Sequence, residues 1–272
     1  MEDFYIIGEK INGSIPKTSK AIDERDEAYI RYLAKAQTEA GADYLDCCAS
    51  RTDDELGLQE WLIGLIQEES SLPICIDSPS PETCVGAMGF CKQPGIINSI
   101  SLEGDKCDII LPAIKDTDWK VIALLCDDSG IPEDAEDRLD VFDRLMETLD
   151  GHGIAPNRVF IDPLVETLGA NEESLLCFAE VTREVKKRQP KIHVTSGLSN
   201  ISFGLPYRRM INMAFLVLAM QAGMDSAIID PLIGEFQGVM YAANALLGVD
   251  EMGLDYIGAY REGLFGEPPV VK

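Results

Sequence analysis

Pro73-Ile74-Cys75-Ile76-Asp77-Ser78-Pro79-Ser80-Pro81 holds, in nine residues, one complete passage from strand to helix. The apolar run Pro73–Asp77 has the length and unbroken hydrophobicity of a strand buried on both faces. Asp77 closes it. Ser80 then stands where an N-cap hydroxyl can accept a free helix amide, and Pro81 sits at the first helical position, which needs no N–H. A helical pattern follows over Pro81–Cys91.

Outward from this stretch the same order recurs. The other strand candidates are Phe4–Gly8, Asp43–Cys47, Gly95–Asn98, Lys120–Cys126, Arg158–Asp162, Ile192–Thr195 and Ser226–Ile229. Helical patterns occupy Glu24–Ala40, Glu55–Ser70, Pro132–His152, Asn171–Arg188, Arg208–Ala222 and Glu235–Leu247, with only Asp105–Lys115 for the fourth unit. Gly41, Gly151 and Gly223 supply stop signals. Strict strand–helix alternation calls for a parallel α/β arrangement, and eight units call for closure. The expected fold is therefore a (β/α)8 TIM barrel, and 272 residues match the roughly 250 such a domain takes. No linker or repeat divides residues 1–272, which are expected to form one domain, with 250–272 as a C-terminal tail packed across the barrel or a partner.

Composition narrows the ligand. A formal charge of −24 argues against a nucleic-acid surface, which needs basic density against phosphate. There is no basic apolar leader, and the longest apolar stretch, Met213–Ala222, is too short for a bilayer, so a cytoplasmic protein without membrane contact is expected. The eight cysteines show no CxxC spacing, which favours reduced, mostly buried thiols. Adjacent strand residues such as Cys47 and Cys48 point to opposite faces, so no protein-bound metal is expected there.

In a barrel of this kind the strand ends converge on one mouth. Here they carry Glu9, Asp46, Asp77, Asn98, Asp127, Asp162, the Ser196–Asn200 turn and Asp230. A cup of carboxylates and amides, nearly free of lysine and histidine, suits a neutral ligand rich in hydrogen-bond donors. A carboxylate ending a dry strand is costly to desolvate unless something donates to it. Asp77, Asn98 and Asp162 repeat that pattern on three strands, and Pro163 holds Asp162 extended, away from a helix cap. Together they suit a flat heterocycle with a guanidine-like edge. Glu9 and Asn12 leave the first strand into its loop and can face the same cup. The loop Ser196-Gly197-Leu198-Ser199-Asn200 has small residues that let backbone approach a ligand, one amide in Asn200, and Arg208 just beyond.

These segments taken in order resemble the methyltetrahydrofolate:corrinoid methyltransferases, pterin-binding barrel enzymes of one-carbon metabolism. The likeness runs in register from Ile6 to about Leu247 and includes IGEKING at 7–13, WLIGLIQEESSLPICIDS at 61–78, INS at 97–99, SGIPEDAEDRL at 129–139, IDPL at 161–164 and SGLSNIS at 196–202. The resemblance implies a pterin-binding TIM barrel that moves a methyl group between N5 of tetrahydrofolate and the cobalt of a corrinoid, carried by a separate corrinoid protein. It implies that Asp77, Asn98 and Asp162 bind the pterin ring, that Gly197 and Ser199 lie beside it, that Asn200 assists catalysis at N5, and that Arg208 is a matching basic position. It also implies a homodimer. This chain departs from relatives at Asp46-Cys47-Cys48, where Asp-Leu-Asn or Asp-Val-Asn is common, and at Cys126-Asp127, where Met-Asn is frequent.

Rival readings differ in what they require. Dihydropteroate synthase, another pterin barrel, needs a basic site for pyrophosphate. A Schiff-base aldolase needs a lysine at a strand end, and only Lys10 qualifies. Metal-dependent barrel hydrolases need several histidines at the mouth, and His152 and His193 fall elsewhere. A non-catalytic folate-binding subunit would bind pterin without transferring methyl.

Overall fold

The computed structural model describes residues 4–50 and 53–266. Eight parallel strands alternate with helices around them. The strands are β1 (Tyr5–Asn12), β2 (Tyr44–Cys48), β3 (Ile74–Asp77), β4 (Ile96–Leu102), β5 (Lys120–Asp127), β6 (Val159–Asp162), β7 (His193–Val194) and β8 (Ser226–Ile229). The helices are α1 (Pro16–Glu24), α2 (Glu27–Glu39), α3 (Glu55–Glu69), α4 (Pro81–Met88), α5 (Lys106–Ile114), α6 (Ala135–Gly151), α7 (Ser174–Arg188), α8 (Arg208–Ala222), α9 (Gly234–Leu246) and α10 (Leu254–Arg261). The sheet order is β7-β6-β5-β4-β3-β2-β1-β8, the cyclic order of the expected (β/α)8 barrel.

Closure between β7 and β8 is made with little ladder. Beyond Val194 it consists of one isolated bridge from Gly197 to Ile228 and an Ile228 N–H bond to the Ser196 carbonyl. Below it the Asp225 carboxylate takes over: its Oδ1 accepts the Val194 N–H at 2.7 Å, while the Asp225 N–H reaches the Val194 carbonyl. Lys186 at 2.6 Å and His193 at 3.0 Å fix that carboxylate. A side chain thus replaces strand pairing, which is why β7 is two residues long where the sequence pattern gives four.

Interior positions alternate along each strand. Ile7, Tyr44, Cys75, Ile96, Ile122 and Phe160 fill the barrel's centre, while the larger cluster lies between strands and helices. The interior layer nearest the N-terminal end is aromatic, with the Lys120 ammonium bonded to the Tyr44 hydroxyl at 2.8 Å and lying over the Tyr5 ring at 4.9 Å. The cup therefore has a dense floor.

Local signals place the helices. The Ser80 hydroxyl accepts the Thr83 N–H at 3.1 Å, and Asp134 and Asp26 cap α6 and α2 in the same way. Two expectations need correction. The stretch before Gly41 is not one helix from Glu24: α1 stops at Arg25, which is left-handed at φ 53°, and α2 restarts behind the Asp26 cap. Strand β1 does not end at Gly8. It continues to Asn12 through an irregularity between Gly8 and Ile11, where the Gln37 amide oxygen accepts the Lys10 N–H at 2.9 Å. Only glycine fits at position 8, because a Cβ there would lie 2.6 Å from that oxygen. Glu9 and Asn12 are thus strand residues, not loop residues.

After α9 the chain turns through Asp250, whose carboxylate accepts the N–H groups of Asp255 and Tyr256 at 3.0 Å. α10 then packs beside α9, and the Phe265 ring lies over Gly238, where a Cβ would meet it at 2.9 Å.

Candidate active site

Register sets the cup. Asp77 pairs with Asn98 across β3 and β4, Cys48 pairs with Asp77 across β2 and β3, and Leu124 pairs with Asp162 across β5 and β6. Asp77 and Asp162 end their strands, whereas β4 runs on to Leu102, so Asn98 is not a strand end but stands level with Asp77; Asp162 is at 7% exposure.

The two aspartates share an electrostatic character. Burial pushes Asp77 up to about 6, with Cys48 pulling down and Glu55 pushing further up. Burial likewise pushes Asp162 up to about 6, against the pull of the Leu164 and Gly197 backbone N–H groups and the charge of Arg138. Neither carboxylate has a salt-bridge partner among the described residues. Arg138, fully buried, faces the loop behind Asp162 instead: it donates to the carbonyls of Pro132, Pro163 and Leu164 and to Glu166. Asp162 is thereby presented rather than neutralised. Asp77 is held similarly by Gln59, whose buried amide donates to the Cys47 and Asp77 carbonyls at 3.1 and 3.0 Å. Desolvated carboxylates without cations attract ligand N–H groups.

Asn12 points at Asp77 and at Asp46 on the neighbouring strand. Its Nδ2 lies 3.5 Å from both the Asp46 and the Asp77 Oδ2, the long limit of hydrogen bonding, while its Oδ1 accepts the Ser14 N–H at 2.9 Å.

The turn after β7 is a short 3-10 segment, Leu198–Ser202. Ser199 donates to Glu9 Oε2 at 3.1 Å, which ties the turn to β1. Arg208 clamps it from outside, with Nε on the Ser202 hydroxyl at 3.0 Å and Nη2 on the Ser199 carbonyl at 2.6 Å. Asn200 is exposed at the mouth, and a Cβ on Gly197 would come within 3.1 Å of its amide nitrogen, so the glycine sets where that amide rests. Burial raises Glu9 to about 7; Asp230 adds to this, and Ser199, Lys10 and Arg208 oppose it. Glu9, Ser199 and Arg208 share a cleft of about 210 Å³ with Asn212 and Phe236.

Basic groups around the mouth are already engaged. Lys10 pairs with Asp230 at 2.9 Å, Arg209 with Glu235 at 2.8 Å, and Arg208 with the turn. Asp127, expected at the mouth, instead binds Ser129 and Arg144 and closes the Asp127–Gly130 turn, which holds it down to about 2. All eight cysteines are free, and Cys47 and Cys48 do face apart, towards Gln59 and Ser50.

Sequence reasoning passed over Gln59, Arg138 and the part played by Asp46. Gln59 had a legible signal: it is an amide within the buried stripe of α3 that includes Leu58, Leu62, Ile63 and Ile66. Arg138 had none, since an arginine about one turn into a helix reads as solvated.

Asp77, Asn98 and Asp162 thus stand at one end of a barrel of this order, with the exposed Asn200 on the turn after β7. The chain belongs to the pterin-binding enzyme family, whose model matches residues 11–230. Within it, the chain is 44% identical over 264 residues to the methylcorrinoid:tetrahydrofolate methyltransferase of Eubacterium limosum, spanning 96% of this chain and 97% of that one. It is also 32% identical over 240 residues to methionine synthase of Mycobacterium tuberculosis, covering 82% of this chain and 20% of that longer protein. In structure it resembles dihydropteroate synthase from Xanthomonas albilineans, with a TM-score of 0.61 at 19% identity over 90% of this chain and 94% of that one, a likeness of fold alone. No helix among the described residues is long and apolar enough to cross a membrane.

Proposed function

We propose that this chain is a methyltransferase that moves a methyl group between the cobalt of a corrinoid and N5 of tetrahydrofolate, in the direction named for its 44% identical relative, methylcorrinoid to folate. The observation that carries the reading is the pair of desolvated carboxylates, half-buried Asp77 and buried Asp162, which have no salt-bridge partner among the described residues and stand with Asn98 at the barrel end that bears Asn200. A pterin presents ring N–H and amino donors along one edge, and ionised carboxylates accept them in charge-assisted bonds of on the order of 1.5–3 kcal/mol each.

The corrinoid is a co-substrate, brought by a separate corrinoid protein that docks over the mouth, and it supplies the methyl group. The chain's own work is to hold and to orient. Asp77, Asn98 and Asp162 fix the ring; Gly197 and Ser199 border it, with Glu9, Asn12 and Arg208 in support. Asn200 sits at the open side, where N5 must face the incoming methyl. As N5 bonds to the methyl group of the co-substrate, the carbon–cobalt bond breaks with its electron pair left on cobalt, and N5 becomes cationic and then releases its proton. An amide can accept from N5–H with its oxygen, or turn to donate, without itself ionising. This is positioning and electrostatics rather than covalent catalysis. We take the protein to be a cytoplasmic homodimer, on the family resemblance alone.

A dihydropteroate synthase reading is disfavoured because, among the described residues, Lys10, Arg208 and Arg209 are all engaged rather than free for pyrophosphate. A folate-binding subunit without activity is separated by experiment. Tetrahydrofolate mixed with methylcobalamin and the protein should yield methylfolate, followed by the corrinoid's absorbance; folate binding without transfer contradicts the proposal.

A further inference from the structure

The functional reading leaves three of the expected mouth carboxyls unused: Asp127 and Asp230 are paired with Arg144 and Lys10, and Asp46, the most confined, is not. It lies in the middle of β2, 1% exposed, on the inward side shared with Tyr44 and Cys48. Its Oδ1 is buried without a hydrogen-bond partner. Its Oδ2 shares the Asn12 amide with Asp77 Oδ2, at 3.5 Å to each. The groups around it are Asp77 and Cys75 from β3, Glu9 and Asn12 from β1, and its neighbours Cys47 and Cys48. No lysine or arginine bonds it among the described residues, nor is any group of three or more His, Cys, Asp and Glu side chains there arranged to hold a metal ion.

Two carboxylates that share one amide donor in a dry site, with no cation between them, do not both ionise. Asp77 is the less confined and opens to the cup beside Asn98. Asp46 has no route to water, and one of its oxygens lacks even a hydrogen bond. The proton therefore belongs on Asp46. Burial and the nearby Asp77 both push its acidity in that direction.

We propose that Asp46 is a positioning residue: held as the neutral acid, it anchors the Asn12 amide and so fixes Asp77 as the single anion that meets the ligand. A buried carboxyl with an unpaired oxygen lowers stability, and its use here is to keep the cluster at one negative charge. The inference rests on the reading of the cup as a pterin site.

Its test compares wild type with Asp46→Asn and Asp46→Leu, using tetrahydrofolate affinity against pH and, in ligand-free protein, thermal stability against pH. Asn is the neutral mimic. Asp46→Asn should keep folate affinity within about twofold and leave the acid limb of binding in place. Asp46→Leu, which strips the anchor from Asn12, should weaken binding about tenfold while the protein stays folded. Without folate, Asp46→Asn should gain in melting temperature over wild type as pH rises from 5 to 8, because only wild type carries a proton that its unfolded chain releases. The proposal is overturned if Asp46→Asn weakens folate binding as much as Asp77→Asn, if Asp46→Leu binds like wild type, or if the two ligand-free stability curves run parallel. A wild-type protein that binds no folate sinks the reading of the cup instead, and the ligand-free curves then decide the charge state of Asp46 on their own.

Discussion

Folate affinity should fall steeply as pH is lowered through 6, and the fall should halve in logarithmic slope when Asp162 is changed to Asn. Asp77 and Asp162 both titrate at about 6, raised by burial from 3.8. Each accepts ligand N–H groups only as the carboxylate, so each contributes affinity that is complete above pH 6 and is lost below it. A single such group loses about tenfold in affinity per pH unit once protonated, and two lose about a hundredfold between pH 7.5 and 5. Ligand-free stability runs the other way. For an acid with a raised value the folded state keeps protons that the unfolded chain releases between about pH 4 and 6. Stability therefore declines over that window, by ~3 kcal/mol per group for a shift of about two units. Binding and stability should thus have opposite pH trends over overlapping ranges. Isothermal titration with tetrahydrofolate from pH 5 to 7.5, on wild type and Asp162→Asn, checks this, and titration of the pterin's own nitrogens cancels between the two proteins. Affinity that stays flat to pH 5, or a variant with the wild-type slope, would refute the assignment of these carboxylates.

Other outcomes follow from the same geometry. Asn200→Ala should slow methyl transfer about 10²-fold, by analogy with lost oxyanion-hole donors, with near-normal folate affinity; unchanged turnover removes Asn200 from the mechanism. Arg138→Ala should destabilise by about 2–4 kcal/mol in urea titration, because it leaves the Pro132, Pro163 and Leu164 carbonyls without this donor while Glu166 keeps Asn171, and it should also weaken folate binding through the loosened Asp162 loop. Gly95→Ala places a Cβ 1.9 Å from the Ile74 carbonyl oxygen between β3 and β4, so it should cost at least about 1–3 kcal/mol or abolish soluble expression.

The barrel was readable because its signals are local and repeated. Each apolar run ends in a polar residue, and the Ser80 cap lies where the sequence puts it, although α6 starts behind Asp134 rather than at Pro132. What escaped were features set by contacts between distant residues. Strand β1 runs on past Gly8 because Gln37, on α2, fills the gap in the ladder. Strand β7 is cut short because Asp225 replaces its pairing. At the site, the convergence of Asp77, Asn98 and Asp162 was expected from their strand-end positions. The diversion of Asp127 onto Arg144, 17 residues on, has no signature in either segment. Asp46 shows the same limit from the other side. It reads as one more carboxylate at the mouth, and only the absence of a partner for its Oδ1 sets it apart.

The central claim is that buried acceptors hold a pterin while its N5 faces a methylated cobalt. A single-turnover experiment with methylcobalamin, tetrahydrofolate and the protein, followed by loss of the methylcobalamin absorbance and by chromatography of methylfolate, tests it most directly. The account predicts methylfolate formation that depends on the protein and collapses in Asp77→Asn and Asp162→Asn. Saturating folate binding with no methylfolate formed, from either free or protein-borne corrinoid, would contradict it.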